Sequence, residues 1–334
     1  MPGFDAIIGQ DLPIRVLMRF LHSAQIPHAL MFTGIAGIGK RTTAILFAMA
    51  LNCDATDTDR PCGQCRTCRQ IQAGRHPDVI EVAPVKGMVR IDQIRSLLAA
   101  LAMRPFSAVN RVVIVTNAQA MNAESANALL KALEEPPADT TIILTALQRD
   151  DVLPTIASRC RHIRFKPLNA QALTTLLTDS RALPADQAKT IAEAAEGSYT
   201  RALQLVESDW QSRRDWLVHA AGLADKEAKQ RPMALALAFS AKLAQKKETL
   251  DLDFEILKSW IRDLSVWPHQ PGHIVNKDRS TTLAEVSLKL RPKQLLSLWE
   301  VVEKAEKDIA ANGNLRLTLD AMTLQMAQII GTLR

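Results

Sequence analysis

Apolar and polar positions in the first half of the chain alternate between two rhythms. Short apolar runs at HALMF (28–32), RVVIVT (111–116), TIILTA (141–146) and RHIRF (161–165) predict strands. The first three show no polar alternation, as expected of strands covered on both faces. Between them, residues 40–51, 91–102 and 123–135 carry helical patterns. In the last, Leu129, Leu130 and Leu133 share one face, and Pro136-Pro137 stops the helix. Strand–helix alternation of this kind predicts an α/β domain, a parallel sheet with helices on both sides.

After Phe165 the strand signals end. Residues 168–207 hold short helical patterns broken at Pro184 and Gly197, and from about 208 onward the helices lengthen. All five tryptophans lie in that last stretch. In 293–311, Leu295, Leu298, Val302, Ala305 and Ile309 recur at spacings of three and four, and Asn312-Gly313 offers a left-handed stop. Leu315, Leu319, Met322, Met326 and Ile329 then start a second amphipathic helix. The polar run 245–253 predicts a solvated loop or helix end. The expected organisation is α/β followed by all-α, with boundaries at 1–166, 167–207 and 208–334.

Composition narrows the class. At 334 residues the chain exceeds what one core usually organises. Its 41 basic and 35 acidic residues give a formal charge of +6, mild enough to favour polyanions without establishing a nucleic-acid partner. MPGFDAIIGQ lacks both a charged n-region and an apolar h-region, which argues against secretion. The longest apolar run, AILFAMAL (44–51), is too short to span a bilayer. Four of the five cysteines crowd into 53–68, which in a reducing compartment points to metal rather than disulfides.

GIAGIGKRTT (34–43) follows one predicted strand and opens a helix. That context suits a phosphate loop: backbone N–H groups and a helix N-terminus face an anion, and Lys40 reaches across it. Gly34, Gly37, Gly39, Lys40 and Thr42 are the candidate phosphate-binding residues. Such loops place Ser or Thr after the lysine to ligate magnesium. Here that position is Arg41, and Thr42 is one residue late, about 100° further round the helix. Hydrolysis also needs a carboxylate at the end of the neighbouring strand. RVVIV ends instead in Thr116-Asn117, and the next acid is Glu124, inside a helix. The expectation is a nucleotide-binding fold without hydrolysis.

Cys53-x8-Cys62-x2-Cys65-x2-Cys68 offers four thiolates to one structural zinc, in a polar stretch (DATDTDRP) with little apolar surface to fold it otherwise. An iron–sulfur cluster on the Cys62-Cys65-Cys68 triplet is the alternative. Cys160, alone beside a strand, reads as a small buried hydrophobe. A zinc-dependent nucleic-acid module is a further reading, supported by Arg60, Arg66 and Arg69 but lacking interleaved aromatics for stacking on bases.

The phosphate loop with its cysteine knuckle, ANALLKALEEPP (126–137), SRC (158–160) and GNLRLTLDAMTLQM (313–326) together resemble the AAA+ clamp-loader subunits of bacterial replication. The resemblance spans essentially the whole chain. It implies a P-loop AAA+ domain with a zinc knuckle inserted at 53–68, a small helical lid, and a C-terminal helical domain joining a five-subunit collar. It implies a cytoplasmic hetero-oligomer whose partners are motor (gamma/tau) and delta subunits and, indirectly, the sliding clamp and primed DNA, with no membrane. Its SRC arginine would make Arg159 an arginine finger acting in trans on a neighbour's ATP.

Two departures weaken any response to nucleotide. Active members of the family carry a polar sensor where this chain has Ala146, with Thr145 beside it, and a GSxR arginine where it has Gly197-Ser198-Tyr199-Thr200, with Arg201 one place late. The resemblance with these departures implies a non-hydrolysing subunit, binding ATP or ADP weakly or not at all. An active motor subunit of the same loader is the alternative.

Overall fold

The computed structural model describes residues 3–55, 60–224 and 233–331. The chain divides into two compact units, Met1–Leu176 with Glu196–Arg201, and Leu177–Ala195 with Ala202–Arg334. Residues 56–59 of the polar stretch DATDTDRP lie outside the described residues.

The first unit is built on a parallel sheet of β1 (Ala29–Thr33), β2 (Val79–Val82), β3 (Arg111–Val115), β4 (Thr140–Ala146) and β5 (Arg161–Arg164), in the order β2-β3-β4-β1-β5. Its helices are α1 (Asp11–Ser23), α2 (Lys40–Leu51), α3 (Arg66–Gln72), α4 (Ile91–Leu101), α5 (Ala123–Glu134) and α6 (Pro154–Ala157). The α/β expectation therefore holds, and all four predicted strands form. β1, β3 and β4 are buried along their whole length, which is why their sequences are continuously apolar. Alternate residues feed two cores. Leu30, Phe32 and Ile114 pack with Leu17 and Phe47 on one side; Met31, Val113 and Leu144 pack with Ile94 and Leu129 on the other.

Strand β2 is absent from the sequence-based assignment. VIEV lies at the sheet edge and leaves Glu81 exposed, so it gives no sustained apolar run. Just before it, buried Asp78 accepts backbone N–H bonds from Phe106, Ser107 and Ala108 at 2.8, 2.8 and 2.9 Å and lies 3.6 Å from the Arg111 guanidinium. The loop between α4 and β3 is thereby fixed. Burial alone would raise the Asp78 pKa, but the three N–H donors and Arg111 outweigh it and hold the carboxyl below its ordinary value.

The remaining helices are α7 (Ala170–Arg181), α8 (Ala185–Ala194), α9 (Tyr199–Glu207), α10 (Trp210–Ala220), α11 (Met233–Ala244), α12 (Leu250–Val266), α13 (Ser280–Ser287), α14 (Pro292–Ala310) and α15 (Leu315–Ile330). The expected α14 seam buries Leu295, Leu298, Val302 and Ala305, while Ile309 is half-buried. The stop falls on Asn312, at φ 63°. In α15, Leu319, Met322 and Met326 face inward. Buried Trp260 donates its indole N–H to the Leu223 carbonyl at 3.1 Å. Among the described residues no helix is long and apolar enough to cross a membrane.

Candidate functional site

The loop from Gly34 to Gly39 joins β1 to α2, and its glycines sit where a side chain would be obstructed or strained. Gly34 (φ 143°) and Gly37 (φ 75°) leave no room for a Cβ: one at Gly34 would lie 2.7 Å from the Phe165 carbonyl oxygen, and one at Gly37 would collide with Ser198 Oγ. Gly39, at φ 93°, caps α2. The Gly37 carbonyl accepts the Tyr199 N–H at 2.9 Å. Thus Gly197-Ser198-Tyr199-Thr200 packs directly on the loop. Lys40 is only 7% exposed, and its ammonium donates to the carbonyls of Gly34 and, at 2.6 Å, Ile35. Burial lowers the Lys40 pKa to about 8.

A cavity of about 600 Å³ opens against this loop. Gly37, Gly39, Lys40, Arg41 and Thr42 line one side; Thr116, Asn117 and Thr145 lie at the strand ends, and Tyr199 and Thr200 also border it. Gly34 is not among the lining residues. None of those residues is Asp, Glu or His. Arg41 engages both carboxylate oxygens of Glu81, with Nη2 2.7 Å from Oε2. Thr116 Oγ1 donates to the Val82 carbonyl at 3.3 Å. Asn117, at φ 52°, donates its N–H to Thr145 Oγ1 at 3.0 Å. Glu124 is exposed and lies 3.5 Å from Arg95. Arg201 pairs with Glu196 at 3.5 Å and does not line the cavity. The arrangement can attract an anion through Lys40 and the helix N-terminus. It supplies no carboxylate to hold a metal or to accept a proton from water.

The four clustered cysteines converge. The sulfurs of Cys53, Cys62, Cys65 and Cys68 all lie within 4.8 Å of one another. Tetrahedral zinc with Zn–S bonds of about 2.3 Å separates its sulfurs by roughly 3.8 Å, so the cluster fits with small adjustments. Backbone N–H groups already point at the sulfurs: Cys62 and Ala55 to Cys53 at 3.4 and 3.5 Å, Cys65 and Gln64 to Cys62 at 3.3 and 3.4 Å, Cys68 to Cys65 at 3.3 Å. The bonds from Cys65 and Gln64 pull the Cys62 thiol down to about 6, whereas burial pushes Cys53 and Cys68 up. Four ligands, not three, therefore meet, and these residues could hold a metal ion. Cys160 stands apart, and burial pushes its thiol up to about 12.

Arg159 follows α6 and precedes β5, as predicted, and its side chain is 37% exposed. It does not line the cavity of its own chain. Nη1 donates to the Thr155 carbonyl at 2.8 Å, and Nη2 lies 2.6 Å from Glu134 Oε1. Sequence reasoning missed both glutamates, Glu81 and Glu134. Their pairing spans a sheet or a helix end and leaves no spacing in the chain.

A family model described as DNA polymerase III, delta subunit, matches residues 9–169. The DNA polymerase III subunit delta' of Pseudomonas aeruginosa is 40% identical over 51% of this chain and 52% of its own. The subunit tau of Bacillus subtilis is 25% identical over 97% of this chain and 61% of its own, and that of Escherichia coli 32% identical over 61% and 32%. The chain thus spans less than two thirds of each of these relatives. Among solved structures, a DNA polymerase III gamma subunit-related protein from Thermotoga maritima covers 95% of this chain and 99% of its own at 15% identity and a TM-score of 0.44.

Proposed function

We propose that this chain, which belongs to the clamp-loader family of DNA polymerase III, is its non-hydrolysing, delta-prime-like subunit. It works in the cytoplasm beside motor (gamma/tau) and delta subunits, helping to load the sliding clamp on primed DNA. The observation that carries this reading is the lining of the phosphate-loop cavity, which holds Lys40 but no acid. Arg41 adds to it, because the position of the metal-ligating hydroxyl is taken by a guanidinium turned to Glu81. The chain is read as three parts, an ATPase-like domain (1–166), a lid (167–207) and a collar domain (208–334). The metal on Cys53, Cys62, Cys65 and Cys68 is a structural zinc, holding the knuckle together when bound. Lys40 and the loop hold at most an anion, so ATP or ADP binds weakly or not at all. Arg159 acts as an arginine finger in the adjoining subunit's ATP site, where its planar, permanently charged fork suits phosphate oxygens.

The alternative is a hydrolysing motor subunit, and the tau relative aligned over 97% of this chain favours it. Steady-state ATP turnover by the isolated chain separates the two readings. Background turnover is expected. Turnover above background that Lys40→Ala abolishes would establish the motor reading instead.

A further inference from the structure

We infer that Glu134 is a positioning residue for Arg159, holding its guanidinium ready at the sheet's rim for a phosphate bound by a neighbouring subunit. This rests on the trans role proposed above for Arg159, and it adds a second residue to that role.

The sequence fixes where Glu134 stands. It is the last residue of α5, and Pro136-Pro137 prevents the helix from running on. Its carboxylate therefore projects from a rigid helix end toward the short turn after α6. Arg159 is gripped at two close points, beside a longer contact from Nη1 to Ser158 Oγ at 3.5 Å. Its Nη1 binds the carbonyl of Thr155, one turn back, and its Nη2 meets Glu134 at 2.6 Å. One anchor is a backbone carbonyl and the other a carboxylate carried on a helix end, so a long side chain with many rotamers is confined before any partner arrives.

The grip does not consume the finger. Among the described residues Nε–H meets no acceptor, and more than a third of the side chain is exposed. An arriving phosphate can thus bind the free edge while the η nitrogens stay anchored. Glu134 is itself about half exposed, so water screens the pair. A screened carboxylate is too weak to withhold the arginine from a polyphosphate, yet it restricts where the fork points. That combination distinguishes positioning from sequestration. Glu135, the next residue, forms no ion pair among the described residues and provides a control.

The test is ATP hydrolysis at the adjoining site in a reconstituted loader whose other motor sites are disabled. Glu134→Gln and Glu134→Ala should lower kcat there by about threefold to tenfold, with KM for ATP unchanged, because misorientation of a reacting group penalises the chemical step. Glu134→Asp, which keeps the charge on a shorter stem, should fall between these and wild type. Arg159→Ala should reduce kcat further, and adding Glu134→Ala to it should change nothing more. Glu135→Gln should match wild type. Wild-type rates in the Glu134 variants alongside a defective Arg159→Ala would overturn the positioning role and leave the finger intact. A faster rate in Glu134→Ala would show restraint instead, and independent, multiplying losses would show a merely structural contribution; either result overturns the inference. An unaffected Arg159→Ala would instead bring down the trans role itself.

Discussion

Lys40 gives the phosphate loop a pH dependence whose sign follows from its burial. Its pKa falls from the ordinary 10.5 to about 8, because burial penalises the ammonium. That interval corresponds to about 3 kcal/mol of unfavourable environment for the charged form, an order-of-magnitude figure. The unfolded chain keeps the proton up to 10.5 while the folded one releases it near 8. Between those values the unfolded state binds more protons, so Lys40's contribution to stability rises with pH across that window and is flat below it. Anion binding has the opposite sign. It requires the ammonium, so affinity for inorganic pyrophosphate should be level below about pH 7.5 and fall by up to tenfold per pH unit above 8. Arg41 also lines the cavity, but its guanidinium, raised further by Glu81, stays charged throughout this range, so the pH dependence belongs to Lys40. The measurements are calorimetric titration with pyrophosphate from pH 7 to 9.5, with and without magnesium, and urea unfolding of wild type against Lys40→Met over the same range. Magnesium should add nothing to affinity, and the wild type should gain on the variant as pH rises. A pyrophosphate affinity flat across pH 7 to 9.5, or strongly increased by magnesium, would refute the reasoning.

Three other outcomes are expected. Elemental analysis of protein purified without chelator should find one zinc per chain, and replacing Cys62 and Cys65 by serine should abolish it and expose the knuckle to protease while the sheet's cooperative unfolding persists. Arg159→Ala should leave assembly of the loader intact, read by gel filtration, while hydrolysis at the adjoining site drops by orders of magnitude, with a smaller effect on the whole complex because other sites share the turnover. Asp78→Ala should destabilise by about 3–5 kcal/mol in denaturant titration, since it strands the buried Arg111 charge and three backbone N–H groups. The Asp78 carboxyl is held below its ordinary 3.8, so its contribution is complete above that pH and is lost as pH falls through the lower folded-state value.

What was legible in the chain follows from how each feature is encoded. β1, β3 and β4 are buried on both faces, so their apolar runs mark them without any tertiary knowledge. The loop glycines and the cysteines are legible because their chemistry depends on local spacing. β2 was not, because an edge strand of four residues need bury only part of itself. Nor did the chain betray Arg41–Glu81 or Arg159–Glu134, which join residues far apart in sequence through exposed side chains. The contact of Ser198 and Thr200 with Gly37 was equally hidden. In sequence the GSYT stretch displays only a displaced arginine, although its backbone supports the loop.

The positions that fall short of hydrolysis are not idle, and two of them, Arg41 and Thr116, now hold the same strand. Arg41, where a metal-ligating hydroxyl belongs, reaches Glu81 on β2. Thr116, where a carboxylate belongs, gives both its N–H and its hydroxyl to the Val82 carbonyl on the same strand, at 2.9 and 3.3 Å. β2 is an edge strand that, among the described residues, pairs with β3 alone, and these contacts tie its C-terminal half to α2 and to the end of β3. Lys40 likewise satisfies the Gly34 and Ile35 carbonyls, a structural task that needs no nucleotide. The whole phosphate-loop signature can therefore be held in place by folding alone. A hydroxyl restored at position 41 would meet only one of the two requirements, because Thr116 and Asn117 would still offer neither a second metal ligand of the right charge nor a base, and it would release Glu81 from the contact that anchors the edge.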